Sequence, residues 1–167
     1  MNRTDGNLEN AFAGESQANR RYMAFAKKAE QEGFMQVAKL LKAAGESETV
    51  HALNHLKIIG ETKSTMENLV TAVSGETFEF NEMYPDYIDT AKQEGKKQAV
   101  WSFDVANKVE KIHAKLFNKA IETLKNQKPL EQVDYYVCSV CGNTVEGSPP
   151  EKCPICGSPK EKFFKPT

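Results

Sequence analysis

No run of apolar residues in this 167-residue chain approaches the roughly 20 that a membrane-spanning helix requires. An excess of charge is missing too. The formal net charge is −1, so no basic field argues for a nucleic-acid partner and no acidic tail argues for disorder. The opening stretch, MNRTDGNLEN, contains no apolar signal segment, and the cytoplasm is the expected compartment. Cysteine is absent up to residue 137.

What is present is an ordinary globular composition, 40% hydrophobic and 27% charged, with length enough for one core and a small appendage. All four cysteines fall in the tail, as Cys138-x-x-Cys141 and Cys153-x-x-Cys156. In a reducing compartment such pairs are metal ligands more often than disulfides. The chain therefore divides into a cysteine-free body, residues 1–128, and a cysteine-bearing tail, residues 129–167.

The body reads as four amphipathic helices, over about residues 5–32, 34–59, 64–95 and 96–126. Gly33 and Gly60 stop the first two. Ser64 and Glu67 have the spacing of a capping box, and Pro85 is expected to kink or interrupt the third helix near Met83 or Tyr84. Steps of three and four residues trace the inward seams. They run through Leu8, Phe12, Glu15, Asn19 and Tyr22, then Val37, Leu41, Glu48, His51, His55 and Ile58. The third helix gives Leu69, Val73, Glu76 and Phe80, with Glu79 one turn from Glu76; the fourth gives Phe103, Glu110, His113, Phe117 and Leu124.

Each seam is apolar at its ends and acidic in its middle. The middle is also duplicated: ETVHA at 48–52 returns as EKIHA at 110–114, and GES at 14–16 as GET at 75–77. A lone Glu-x-x-His is usually a solvated surface pair. Two copies, each preceded by an inward Glu, are a different matter. Gathering Glu15, Glu48, Glu76, Glu79 and Glu110 with no Lys or Arg beside them would cost several kcal/mol per uncompensated ion. Two divalent or trivalent cations offset that charge. One Glu from each of two helices and a Glu-x-x-His from each of the other two is the di-iron or di-manganese carboxylate pattern. His55 corresponds to Phe117 in the second copy and reads as a core or outer histidine. Tyr22 and Tyr84 read equally as packing or as hydrogen-bonding partners of the site.

In the tail, Cys-x-x-Cys-Gly occurs twice. Four thiolates suit tetrahedral zinc or iron. Zinc would be structural there; iron would carry one electron at a time.

The stretches GESQANRRY, ETVHALNHL, GETFEFNEMYPDY, EKIHA and VCSVCGNTVEG with CPICG resemble the rubrerythrin family over essentially the whole chain. The resemblance implies a mainly α fold, a ferritin-like four-helix bundle over residues 1–128 and a small rubredoxin-like domain over 129–167. It implies a di-iron centre on Glu15, Glu48, His51, Glu76, Glu79, Glu110 and His113, and one further iron on Cys138, Cys141, Cys153 and Cys156. Zinc or manganese are possible substitutes. Glu79 would be the family's extra carboxylate, exchanging with the imidazole at His51. The implied activity is reduction of hydrogen peroxide to water, with electrons relayed through the cysteine site from a rubredoxin or a flavin-dependent reductase. Three rivals are weighed against it: a ferroxidase or iron-storage protein, a dioxygen-reducing oxidase or manganese catalase, and a structural protein with a zinc ribbon.

Chain length adds one expectation. In a bundle with a long crossover the second and third helices run in one direction, and their connection would have to span roughly 35 Å at ~1.5 Å per residue. Residues 60–64 reach only about 17 Å when fully extended. A domain-swapped homodimer is therefore expected, against an up-down-up-down monomer as the competing solution.

Overall fold

The computed structural model describes residues 2–127, 129 and 131–166. The boundary expected after residue 128 falls on Lys128, outside the described residues. By contacts the chain forms two compact units, residues 1–63 and residues 64–167, and each is described by itself.

The first unit is a helical hairpin. α1 spans Arg3–Gln31 and α2 spans Met35–Ile59. α1 begins earlier than its apolar seam suggests because Asn2 and Asp5 form a reciprocal capping box, Asp5 N–H donating to Asn2 Oδ1 at 3.0 Å and Asn2 N–H to Asp5 Oδ2 at 3.4 Å. Gly33 turns the chain with a φ of 83°, and Gly60 closes α2 with a φ of 80°. The two helices meet on small residues: Ala26, Ala29, Ala38, Gly45 and Ala52 are buried. At their crossing, buried Asn19 donates through Nδ2 to Gly45 O at 2.7 Å and to Thr49 Oγ1 at 2.9 Å. Asn19→Ala is expected to lower the stability of the full chain by ~1–2 kcal/mol, read as a shifted urea midpoint of helical circular dichroism.

The seam of α2 departs from the sequence expectation by one position. Ala38 and Ala52 are buried, whereas Val37 and Ile58 are 50% and 67% exposed. The smallest side chains permit the closest helix approach, so they take the hairpin interface. The larger residues of the same wide apolar arc, Leu40 and Leu53 among them, stay uncovered in this unit.

Among the described residues, the second unit holds three α-helices and a small sheet. α3, Thr65–Phe78, opens on the expected capping box, with Ser64 N–H donating to Glu67 Oε2 at 3.1 Å and Glu67 N–H to Ser64 Oγ at 3.3 Å. A wide π turn, Glu79–Met83, follows, and α4 runs Tyr84–Gln93 with Pro85 in its first turn. The interruption lies where Pro85 requires it. Proline has no N–H to donate and its ring crowds the carbonyl four residues back, and widening the turn relieves both. Tyr84 N–H accordingly donates to Glu79 O, five residues back. α5 spans Lys97–Lys125 and packs on α3 and α4, burying Ile88, Ala91, Val105, Val109, Ala114 and Ile121.

The tail forms three short antiparallel strands, β1 (Tyr135–Cys138), β2 (Thr144–Glu146) and β3 (Phe163–Phe164), ordered β2-β1-β3. Two matching turns carry the cysteines. Gly142 N–H donates to Cys138 O at 2.8 Å and Gly157 N–H to Cys153 O at 2.9 Å; the two glycines have φ of 80° and 75°, which a side chain would strain. Among the described residues, no helix is long and apolar enough to cross a membrane.

Candidate metal centres

Each unit gathers one copy of the duplicated motif. In the first, Glu15 from α1 and Glu48 and His51 from α2 offer ligand atoms that all lie within 4.8 Å of one another. His51 Nδ1 stands 2.8 Å from Glu48 Oε2. In the second, Glu76 from α3 and Glu110 and His113 from α5 do the same. His113 Nδ1 is 2.7 Å from Glu110 Oε2 and 3.6 Å from Glu76 Oε1. The three-residue spacing places Glu and His one turn apart on α2 and on α5, and the inward Glu of the preceding helix completes each group.

The electrostatics of the second group carry the mark of an uncompensated site. Burial, reinforced by a hydrogen bond and repulsion from Glu110, pushes the Glu76 carboxyl up to about 7. Burial also pushes Glu110 up, but hydrogen bonds from His113 and Glu76 outweigh it and leave Glu110 below the usual carboxylate range. The closeness of the two carboxyls favours retention of a proton between them. His113 is raised, chiefly by its hydrogen bond to Glu110. Glu76 Oε2 is buried with no hydrogen-bond partner. An orphaned oxygen in a cluster of carboxylates and imidazole is what a cation would satisfy, and O/N donors suit iron, manganese or zinc.

The raised Glu76 sets a pH dependence. Its folded pKa exceeds the ordinary carboxyl value of 4.5, so its contribution to metal-free stability is full below about 4.5 and is lost as pH rises through about 7. Cation binding displaces the same proton. Uptake at this cluster should release protons at pH 6 and fewer at pH 8, measurable with an indicator dye in weakly buffered solution.

Glu79 stands outside both three-residue groups. It is half-buried at the first position of the π turn. Burial and then the charge of Glu110 raise its carboxyl, so it lies within electrostatic reach of the second cluster. Burial also raises Tyr84, with the charges of Glu110, Glu79 and Glu76 adding to the effect. Tyr22 and His55 are half-buried in the first unit.

The tail gathers Cys138, Cys141, Cys153 and Cys156, all unbridged, with sulfurs within 4.8 Å of one another. Cys138 and Cys156 are 3.7 Å apart, Cys141 and Cys153 3.6 Å. A tetrahedron of ~2.3 Å metal–sulfur bonds has edges of ~3.8 Å, so the four thiols fit a single ion. Burial pushes Cys141 up. Cys156 is held down to about 6, because hydrogen bonds from Ser158 and the other cysteines outweigh its burial. Two neighbours escaped sequence reasoning. Asn143, 1% exposed, directs Nδ2 at Cys153 Sγ from 3.7 Å. Thr144 reaches His113. The only sequence signal for either was their place directly after Cys141-Gly142.

Comparison with known proteins decides the family. The rubrerythrin family profile matches residues 6–121, and the rubrerythrin rubredoxin-like domain matches residues 136–164. The chain belongs to the rubrerythrin family. Rubrerythrin-2 of Clostridium acetobutylicum is 36% identical, over 93% of this chain and 92% of that protein. Nigerythrin of Nitratidesulfovibrio vulgaris is 32% identical, over 94% of this chain and 83% of its own length. A nigerythrin structure in a mixed-valence state matches with a TM-score of 0.59 at 31% identity, covering 99% of this chain and 88% of that one; one with all iron ferrous matches equally. Rubrerythrins are di-iron proteins of oxidative-stress defence. This member has the ferritin-like helices and the rubredoxin-like lobe, and its donor sets fit the rubrerythrin complement of two irons among carboxylates and imidazoles and one among thiolates.

Proposed function

We propose that this rubrerythrin is a peroxidase that reduces hydrogen peroxide to water: H2O2 with two protons and two electrons gives two water molecules. The observation that carries the reading is the pairing, in one chain, of two Glu and Glu-x-x-His clusters with a four-thiol site. Bound iron would supply redox chemistry, a pair able to give two electrons at once and a single thiolate-held ion able to replace them one by one. Glu15, Glu48, His51, Glu76, Glu110 and His113 would hold the pair, with Glu79 available as a further carboxylate. Cys138, Cys141, Cys153 and Cys156 would hold the third ion.

The residues' own task is to bind, exclude water and manage protons. Glu76 gives up its proton when a cation is bound and then serves as a ligand. Tyr84, whose phenol burial keeps neutral, lies within electrostatic reach of the same carboxylates. The physiological donor on this reading is a rubredoxin or a flavin-dependent reductase, and the compartment is the cytoplasm, with no membrane or nucleic-acid partner.

The reading includes a domain-swapped homodimer in which α1 and α2 of one chain complete the bundle with α3 to α5 of another. Two observations support it. The connection at residues 60–64 is too short for a long crossover, and Val37, Leu40, Leu53 and Ile58 of the hairpin stay exposed in the single chain. The function is tested by anaerobic stopped-flow mixing of fully reduced protein with peroxide. One peroxide consumed per two electrons, with reoxidation of the thiolate site at the same rate, is the expected result. Peroxide loss without reductant would mark a catalase, and slow mineral formation an iron store.

A further inference from the structure

His113 is held from both sides. Its Nδ1 faces Glu110 and Glu76, while its Nε2 lies 2.9 Å from Oγ1 of Thr144. Thr144 does not belong to a helix. It opens β2, three residues beyond Cys141, in the cysteine-bearing lobe. Its hydroxyl also donates to the Gly142 carbonyl at 3.3 Å. The lobe is fastened to α5 on both sides of this bond. A Cβ at Gly142 would stand 3.9 Å from Val109 Cγ1, and Lys119 Nζ donates to both carboxylate oxygens of Glu146 at 2.9 and 2.8 Å.

An imidazole offers a lone pair at Nδ1 only when its proton resides on Nε2, and a half-buried Nε2–H requires an acceptor. A hydroxyl that already donates to a carbonyl has lone pairs free for that proton. We propose that Thr144 is a positioning residue, which accepts Nε2–H of His113 and aims Nδ1 at the ion shared with Glu76 and Glu110. Docking of the cysteine lobe on α5 thereby becomes a condition for full metal affinity in the helical cluster. Through its bond to the Gly142 carbonyl, the same hydroxyl joins His113 to the turn between Cys141 and Thr144. The inference rests on the reading of His113 as a metal ligand, and it names the lobe as the part that orients it.

The test uses the full chain with zinc in its cysteine site. Thr144→Val keeps the shape and removes the hydroxyl; Thr144→Ser keeps the hydroxyl. Anaerobic ferrous titration should show Thr144→Val weakened by ~10–100-fold at the helical cluster, the range for loss of a ligand's outer partner, with Thr144→Ser close to the parent. A 15N–1H correlation spectrum should show a protected Nε2 proton on His113 in the parent and the serine variant, exchanging freely in the valine variant. Ferrous affinity or an Nε2 signal unchanged by Thr144→Val would overturn the inference. If the parent takes up no iron in the helices, the proposed function fails instead, and the Nε2 signal still decides what Thr144 does.

Discussion

Chains carrying His51→Ala and chains carrying His113→Ala, each nearly inactive alone, are expected to recover peroxide consumption when unfolded and refolded together. In the proposed swapped dimer every site would draw Glu15, Glu48 and His51 from one chain and Glu76, Glu110 and His113 from the other. Each variant alone therefore damages both of its sites, and a ligand's loss should lower activity at least ~100-fold, beyond what an outer partner contributes. A mixed dimer concentrates both defects in one site and leaves the other intact. Random pairing makes half of the dimers mixed, so about a quarter of the parent activity should return. Were each site built within one chain, every site in the mixture would carry a defect and nothing would return. The measurement is peroxide consumption by refolded mixtures, with light scattering to confirm that dimers form.

Zinc in place of iron at Cys138, Cys141, Cys153 and Cys156 is expected to leave the lobe folded and to abolish sustained turnover. The four thiols, 3.6–3.7 Å apart in the pairs Cys138–Cys156 and Cys141–Cys153, suit either ion. Zinc has no accessible second oxidation state, so it holds the turns at Gly142 and Gly157 without carrying electrons. Multiple-turnover reduction with an external donor should fall at least ~100-fold, equivalent to ~2.7 kcal/mol of barrier. A single turnover by chemically pre-reduced protein should be retained. This separation matters, because a cysteine substitution would also disturb the lobe and its bond to His113. Undiminished turnover by zinc-substituted protein would remove the lobe from the electron path.

Much of this was legible from residue order. The stripes at three- and four-residue spacing gave the helices because burial of one face is what stabilises them. The Glu-x-x-His pairs were legible because that spacing closes on itself within one turn of helix. Capping by Ser64 and Glu67 and the break near Pro85 follow from local backbone chemistry. Other features depend on which surfaces meet. Val37 and Ile58 belong to the apolar arc of α2, yet Ala38 and Ala52 take the hairpin interface, since small side chains set the distance of closest approach. The π turn was visible only as a proline interruption, because Pro85 shows where the helical ladder breaks and not how the backbone accommodates the break. Thr144 could not be assigned at all, because its bond to His113 joins segments 31 residues apart.

Carboxylates packed together as Glu76 and Glu110 are retain a proton unless a cation neutralises them. The direct measurement is iron content of anaerobically purified protein with Mössbauer spectra of the same sample. Three irons per chain, two in an oxygen and nitrogen environment and one in a four-sulfur environment, is the result this account predicts. One metal per chain, confined to the cysteines with the helical clusters empty, would contradict it.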